Sequence, residues 1–167
     1  MIFLTIGTQG PFDRLVQAVD HWCGEHNKTD DVFGQIAQPK PGAAPKNFEW
    51  VDRLDPVEFN ARFAAADLIV SHAGMGTIIS ALQAGKQVVV MPRRVHLGEH
   101  RNDHQFATVG QMAKRPGVHV AIDETELGER IDDAIAAANA PNAQQLNEFA
   151  DPDFTTALRN LIVSKDR

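Results

Sequence analysis

Residues 71–77 read SHAGMGT and place two glycines, a histidine and a hydroxyl between an apolar run and an amphipathic one. A strand-to-helix turn has this composition, and so does a phosphate site. A helix N-terminus offers unpaired N–H groups and a partial positive charge. Gly74 and Gly76 allow an oxygen to approach the backbone, the Thr77 hydroxyl can donate one more hydrogen bond, and His72 stands at the end of the apolar run. A glycine in such a turn is also what a φ above zero requires. The turn alone therefore leaves a structural and a ligand-binding reading open, and His72 reads equally as a packed, hydrogen-bonded residue or a ligand contact. Other phosphate motifs fit poorly. A dinucleotide fingerprint wants a third glycine where Ile79 stands, and no Gly-Lys-Ser/Thr end of a P-loop occurs.

The second constellation is RRVHLGEHRNDHQ, residues 93–105. His96, His100 and His104 fall at i, i+4 and i+8, with Glu99 and Asp103 close by, and on a helix they would form a row of metal ligands. Pro92 and Gly98 argue that the first half is loop, so the reading is a polar loop that closes over a ligand, with no metal. Asp103 then caps the next helix and Gln105 lies in its first turn. Arg93, Arg94 and Arg101 form the one basic cluster, suited to a phosphate or a carboxylate. His21 and His26 have no acid or nucleophile spaced to give them a role. No serine elbow or Ser-His-Asp order is present.

Strands and helices must alternate to hold these segments. Apolar runs at 2–6, 32–37, 48–51, 68–70, 87–91 and 118–122 read as strands, and helical spacing marks 12–23, 55–66, 77–84, 103–115 and 123–138. Asp55-Pro56-Val57-Glu58 is a helix start with an N-cap, a first-turn proline and a capping-box glutamate. Gly85 is a natural C-cap. Near-continuous apolar strands separated by helices imply a Rossmann-like, doubly wound parallel α/β sheet of about six strands. Its usual order, 3-2-1-4-5-6, binds ligands beyond the carboxyl ends between the first and fourth strands. GTQG after the first strand and SHAGMGT after the fourth would then face each other.

At 167 residues, one domain over 1–140 with a polar helical tail over 141–167 is expected. Phe154, Leu158, Leu161 and Ile162 in that tail make it a segment for docking a partner. A net charge of −6 disfavours a nucleic-acid surface. The opening MIFLTIGTQG lacks a signal peptide's basic region, no apolar stretch suffices to cross a bilayer, and a lone Cys23 suits a reducing cytoplasm as a packing residue.

IFLTIGTQGPFDRLVQAV, DLIVSHAGMGTIISALQAGKQVVVMPR and GEHRNDHQ together resemble the carboxyl-terminal domain of glycosyltransferase family 28 over roughly residues 1–135, above all its short stand-alone members. These are the catalytic subunit of the eukaryotic UDP-N-acetylglucosamine transferase of N-glycan assembly and bacterial exopolysaccharide transferase subunits, some of them glucuronosyl transferases. The resemblance implies the donor-binding half of a GT-B fold, with a UDP-sugar as substrate and no further cofactor. It implies inverting transfer to a polyprenyl-linked saccharide, and a membrane-anchored, acceptor-binding partner that brings a cytoplasmic chain to the inner membrane face. By position it places Gly7, Thr8 and Gln9 near the donor phosphates and Gly74, Met75, Gly76 and Thr77 at the pyrophosphate. It sets Leu54 against the base and gives His104 and Gln105 the donor sugar. His72, Arg93 and His100 complete the expected site; the general base is left to the partner or the interface. Relatives often carry a ribose-gripping glutamate in the helix after the glycine turn; this chain has Ser80 there, which can bond one hydroxyl and brings no charge. The same residues also admit a non-catalytic nucleotide-binding or regulatory module, or another Rossmann enzyme such as a sugar-nucleotide epimerase.

Overall fold

The computed structural model describes residues 1–8, 10–102 and 104–139. The positions expected for Gln9, Asp103 and the tail at 141–167 lie outside the described residues. Six strands, β1 (Ile2–Thr5), β2 (Val32–Gln35), β3 (Glu49–Val51), β4 (Leu68–His72), β5 (Gln87–Met91) and β6 (Val118–Val120), alternate with five helices. The helices are α1 (Asp13–His26), α2 (Pro56–Ala65), α3 (Met75–Gln83), α4 (His104–Met112) and α5 (Leu127–Ala138). All strand pairs are parallel, in the order β3-β2-β1-β4-β5-β6. The expected doubly wound order is the observed one, and β1 and β4 pair side by side at the centre, Ile2 opposite Leu68 and Thr5 opposite Ser71.

The strands are apolar on both faces because both faces are covered. Leu4, Ile6, Val70, Val89 and Met91 point to one side, where α1 buries Leu15, Val19 and Trp22 and α5 buries Leu127, Ile131 and Ala134. Phe3, Ile69, Val88 and Val90 alternate to the other, against Ile78 and Ala81 of α3 and Val109 of α4. α2 completes that side by stacking: Phe59 meets Phe3 edge-on at 5.3 Å. Cys23 is fully buried, and burial first, then Asp20 and Asp31, pushes its thiol up to about 12, so it packs and does not react.

The helix ends explain the local geometry. Asp55 caps α2 as expected, accepting from Val57 N at 2.8 Å and Glu58 N at 3.0 Å. Glu58 does not close the capping box; its carboxylate instead meets Arg62 one turn on. α2 ends on Lys86, whose Nζ donates to the carbonyls of Ala64 and Ala66 at 2.7 and 2.6 Å. Ala84, and not Gly85, is the C-cap of α3; Gly85 follows it as the left-handed residue at φ +67, with the next N–H returning to Ala81 O at 2.9 Å. α3 itself begins at Met75, two residues before the expected start, so the glycine turn is already its first turn. Residues 95–97 form one short 3-10 turn that Gly98 ends at φ +70, and the helical histidine row does not form. Among the described residues no helix is long and apolar enough to cross a membrane.

Candidate functional site

At the carboxyl ends of β1 and β4 the backbone turns twice, and one side chain stands between the turns. Gly7 adopts φ +73, and a Cβ built on it would lie 2.7 Å from Cε1 of His72. Gly74 has an ordinary φ of −89, yet a Cβ there would collide with Nε2 of the same ring. The first glycine is needed for its backbone angle and for space, the second for space alone. His72 thus joins the two glycine turns across the switch point, with Ser71 Oγ 3.2 Å from its Nδ1.

Burial, reinforced by the charges of Arg93 and His100, pushes the His72 imidazole from 6.5 down to about 4, against a smaller opposing bond from the Thr5 backbone. It is neutral at pH 7. The depressed value makes protonation oppose folding. The stability tied to this ring is complete above about pH 6.5 and is lost as pH falls towards about 4, amounting to about 3 kcal/mol at 1.36 kcal/mol per unit. Proton NMR of His72 should therefore show a midpoint near 4 in the free protein. A bound diphosphate beside the ring should move that midpoint up by about one pH unit or more. An unmoved midpoint with UDP bound would place the phosphates elsewhere.

Beyond His72 the α3 N-terminus is open. Gly74 is its N-cap and among the described residues no side chain caps it, so the N–H groups of its first turn are free of intrahelical partners. Gly76 is exposed, with nothing within 4 Å of a Cβ built on it; Met75 is exposed and Thr77 partly so. Ser80 is exposed four residues on, on the same helix face as Gly76. Thr8, after β1, is also exposed. Leu54, 8% exposed, follows β3 and joins the core cluster that holds Ile78. Gln35 Oε1 accepts from its N–H at 2.9 Å, fixing the loop beside α3.

Arg93 differs from expectation. It is 1% exposed, and its guanidinium donates to four backbone carbonyls: Pro11 at 2.8 Å, Ile6 at 2.9 Å, Gly10 at 3.0 Å and Glu99 at 3.2 Å. It also stacks on Phe12, 4.6 Å from the ring centroid. Its Nη1 and Nη2 groups are spent mainly on holding the glycine loop after β1, while its Nε is buried without a partner among the described residues; the loop's shape, not a ligand's charge, is what the Arg93 terminal groups serve. Gln105 is also committed in part: its buried Oε1 accepts the Arg93 N–H at 3.0 Å. Arg94 pairs with Asp123 at 3.7 Å and donates to Ile122 O at 3.3 Å. The three arginines therefore do not act as one cluster, and of the three Arg101 alone is exposed without a partner among the described residues.

Asn102 organises the loop tip, and nothing in the residue pattern singled it out. Its N–H donates to His100 Nδ1 at 3.3 Å and its Oδ1 meets His104 Nδ1. The His100 and His104 rings stand edge to face at 4.7 Å, without a helix to bring them there. Arg14 was likewise missed, because its contacts are with residues far along the chain. Among the described residues no group of three or more His, Cys, Asp or Glu side chains is set to hold a metal.

The fold has counterparts among known proteins. The model of the Glycosyltransferase family 28 C-terminal domain matches residues 1–161. A comparison with curated protein sequences gives no significant match. Among solved structures the chain is similar to the glycotransferase of kitacinnamycin, with TM-score 0.59, 20% identity, and coverage of 85% of this chain but 35% of that one. It is similar to ALG13, solved by NMR, with TM-score 0.58, 18% identity and 94% of each chain covered. It is also similar to the glycosyltransferase SsfS6 of Streptomyces sp. SF2575, complexed with thymidine diphosphate, with TM-score 0.53, 19% identity, and coverage of 85% of this chain and 34% of that one. At these identities the likeness speaks for the fold. The chain spans about a third of the length of the two larger glycosyltransferases.

Proposed function

This chain belongs to the glycosyltransferase family 28 carboxyl-terminal domain family, and from that premise we propose that it is the donor-binding half of a UDP-sugar glycosyltransferase. The observation that carries the proposal is the uncapped α3 N-terminus, facing the Gly7 turn across the junction of β1 and β4. A diphosphate seated there receives N–H groups and the positive end of the helix, which is where charge develops as UDP leaves. An acceptor hydroxyl gives its proton to a general base from the partner or the interface and attacks the anomeric carbon, the bond from that carbon to the UDP phosphate oxygen breaks, and the configuration inverts. Helix and turn stabilise the leaving diphosphate, and with Arg93 and Arg94 committed elsewhere, Arg101 is the arginine left to assist. Gly7, Thr8, Gln9, His72, Gly74, Met75, Gly76 and Thr77 surround the diphosphate in this reading. Leu54 lies towards the base, Ser80 towards the ribose, and His100, His104 and Gln105 towards the sugar.

The acceptor half comes from a second, membrane-anchored subunit that presents a polyprenyl-linked saccharide in exopolysaccharide assembly and brings this chain to the inner membrane face. The share of the larger glycosyltransferases that the chain spans supports this division. Arg101, on the loop that carries His100 and leads into α4 at His104, favours an acidic donor such as UDP-glucuronate. Ser80, exposed where a charged ribose contact would strengthen the grip, favours a second reading, a nucleotide-binding module without turnover.

Calorimetric titration with UDP, followed by transfer assays with labelled UDP-sugars in the presence and absence of the acceptor subunit, separates these. Binding with transfer is the expected result. Binding without transfer selects the module. No UDP binding, alone or with the partner, sinks the donor site, and tight NAD binding in its place would point to another Rossmann enzyme.

A further inference from the structure

Behind the proposed site lies a run of charged bonds that ties the three quoted motifs to one another. Arg14, in the first turn of α1, donates from Nε and Nη2 to the two carboxylate oxygens of Glu99, each at 2.9 Å. Nη2 also reaches Pro92 O at 3.0 Å and Nη1 reaches Glu124 at 2.8 Å. Both side chains of the Arg14–Glu99 pair are 12% exposed. Burial works against the Arg14 charge, but the bonds to Glu99 and Glu124 outweigh it, and its pKa is raised. A bidentate, mostly dry pair of this kind is unlike a surface ion pair, which fixes little.

Glu99 is the hub of this run. Its carboxylate also accepts the Arg94 N–H at 2.8 Å, and its carbonyl accepts from Arg93. Arg93 in turn holds the carbonyls of Ile6, Gly10 and Pro11. One connected set of bonds therefore runs from the glycine loop after β1, through Arg93 and Glu99, to α1 and the loop after β6. His100 follows Glu99 directly, and Gln105 is tied to the same Arg93 backbone. The loop that carries His100 and leads into α4, where His104 and Gln105 stand, is fastened at its root by these bonds.

We propose that Arg14 and Glu99 are positioning residues that set the sugar-facing loop relative to the diphosphate turn, and so determine affinity and selectivity for the donor's sugar and not for its nucleotide. This rests on the donor-binding reading above. The separation follows from the geometry. Among the described residues the α3 turn makes no bond to Arg14 or Glu99, and the Gly7 turn opposite it is held by the Arg93 guanidinium through Ile6, Gly10 and Pro11 and not by the Glu99 carboxylate, whereas His100 follows Glu99 directly in the chain. A loop displaced by about 1 Å can cost two orders of magnitude in a positioned contact.

The test compares UDP with UDP-glucuronate and UDP-N-acetylglucosamine, titrated calorimetrically into the full-length wild-type chain, Glu99→Gln and Arg14→Lys. The expected result is a UDP Kd within about twofold of wild type in both variants. For the UDP-sugar that the wild type prefers, Glu99→Gln should lose about tenfold or more. Arg14→Lys, which keeps the charge but not the fork, should fall between. Arg14→Lys also serves as the readout should Glu99→Gln fail to fold. The proposal is overturned if UDP and UDP-sugar weaken together, if neither changes, or if the wild type gains nothing from the sugar. A wild type that binds no UDP overturns the donor-site reading itself and this proposal with it, which is a separate outcome.

Discussion

Gly76→Val should raise the Kd for UDP by about a hundredfold or more and leave the melting temperature within a few degrees of wild type. The two halves of this expectation have separate causes. Gly76 lies inside α3 without a left-handed φ, and a Cβ there meets nothing within 4 Å. Valine is a better helix residue than glycine by a few tenths of a kcal/mol, so the fold has room and no reason to resist. The space that accepts the branched side chain is the space in front of the uncapped N–H groups, where the diphosphate must sit within hydrogen-bond distance. Removing charge-assisted bonds at about 1.5–3 kcal/mol each readily gives two orders of magnitude. The other two glycines are poorer probes: a side chain at position 7 would be strained at φ +73, and one at position 74 would push His72 aside. Calorimetry beside a thermal melt reads both quantities; unchanged UDP affinity would mean that the turn is only structural.

Arg93→Met should have the largest effect on stability of any single change near the site. The methionine fills much of the volume but strands the carbonyls of Ile6, Gly10, Pro11 and Glu99, which now share one guanidinium. Buried acceptors left unsatisfied cost about 1–3 kcal/mol each, tempered by water that enters the relaxed loop. A net loss of about 3–5 kcal/mol corresponds to a fall in Tm of roughly 10 °C or more in a chain of this size. UDP binding should weaken as well, because the Gly7 turn loses the group that shapes it. Arg93→Lys should rescue little, since one ammonium cannot reach four carbonyls in a planar fork. A Tm unchanged in Arg93→Met, measured by thermal denaturation, would contradict this account.

The parts of the molecule legible in its residues are those set by local pattern. Short, β-branched apolar runs such as QVVVM, bounded here by Gly85 and Pro92, read as strands covered on both sides, and their alternation with helices left one common order to expect. That order put GTQG opposite SHAGMGT, and Gly7, His72 and Gly74 do meet. Asp55 caps α2 because an N-cap depends on its next few neighbours alone. The site residues whose roles shifted are those decided over distance. Arg93 looked like part of a basic cluster because Arg94 and Arg101 are near in sequence, but its partners at Ile6, Gly10 and Pro11 come from the other end of the sheet's first crossover. Arg14 and Glu99 carry no local signal for the same reason. Glu58 shows the converse, a residue with a correct local pattern whose carboxylate found a better partner in Arg62.

The wedge that His72 forms between two turns makes the order of mutation matter. While the imidazole is in place, position 74 admits only hydrogen as a side chain, although its φ would accept any residue. Shrink residue 72 first and position 74 is released, whereas position 7 stays closed to most side chains because its φ of +73 persists. Two glycines that look alike in the chain therefore have unlike histories open to them: one is bound to its own backbone, the other only to its neighbour's ring.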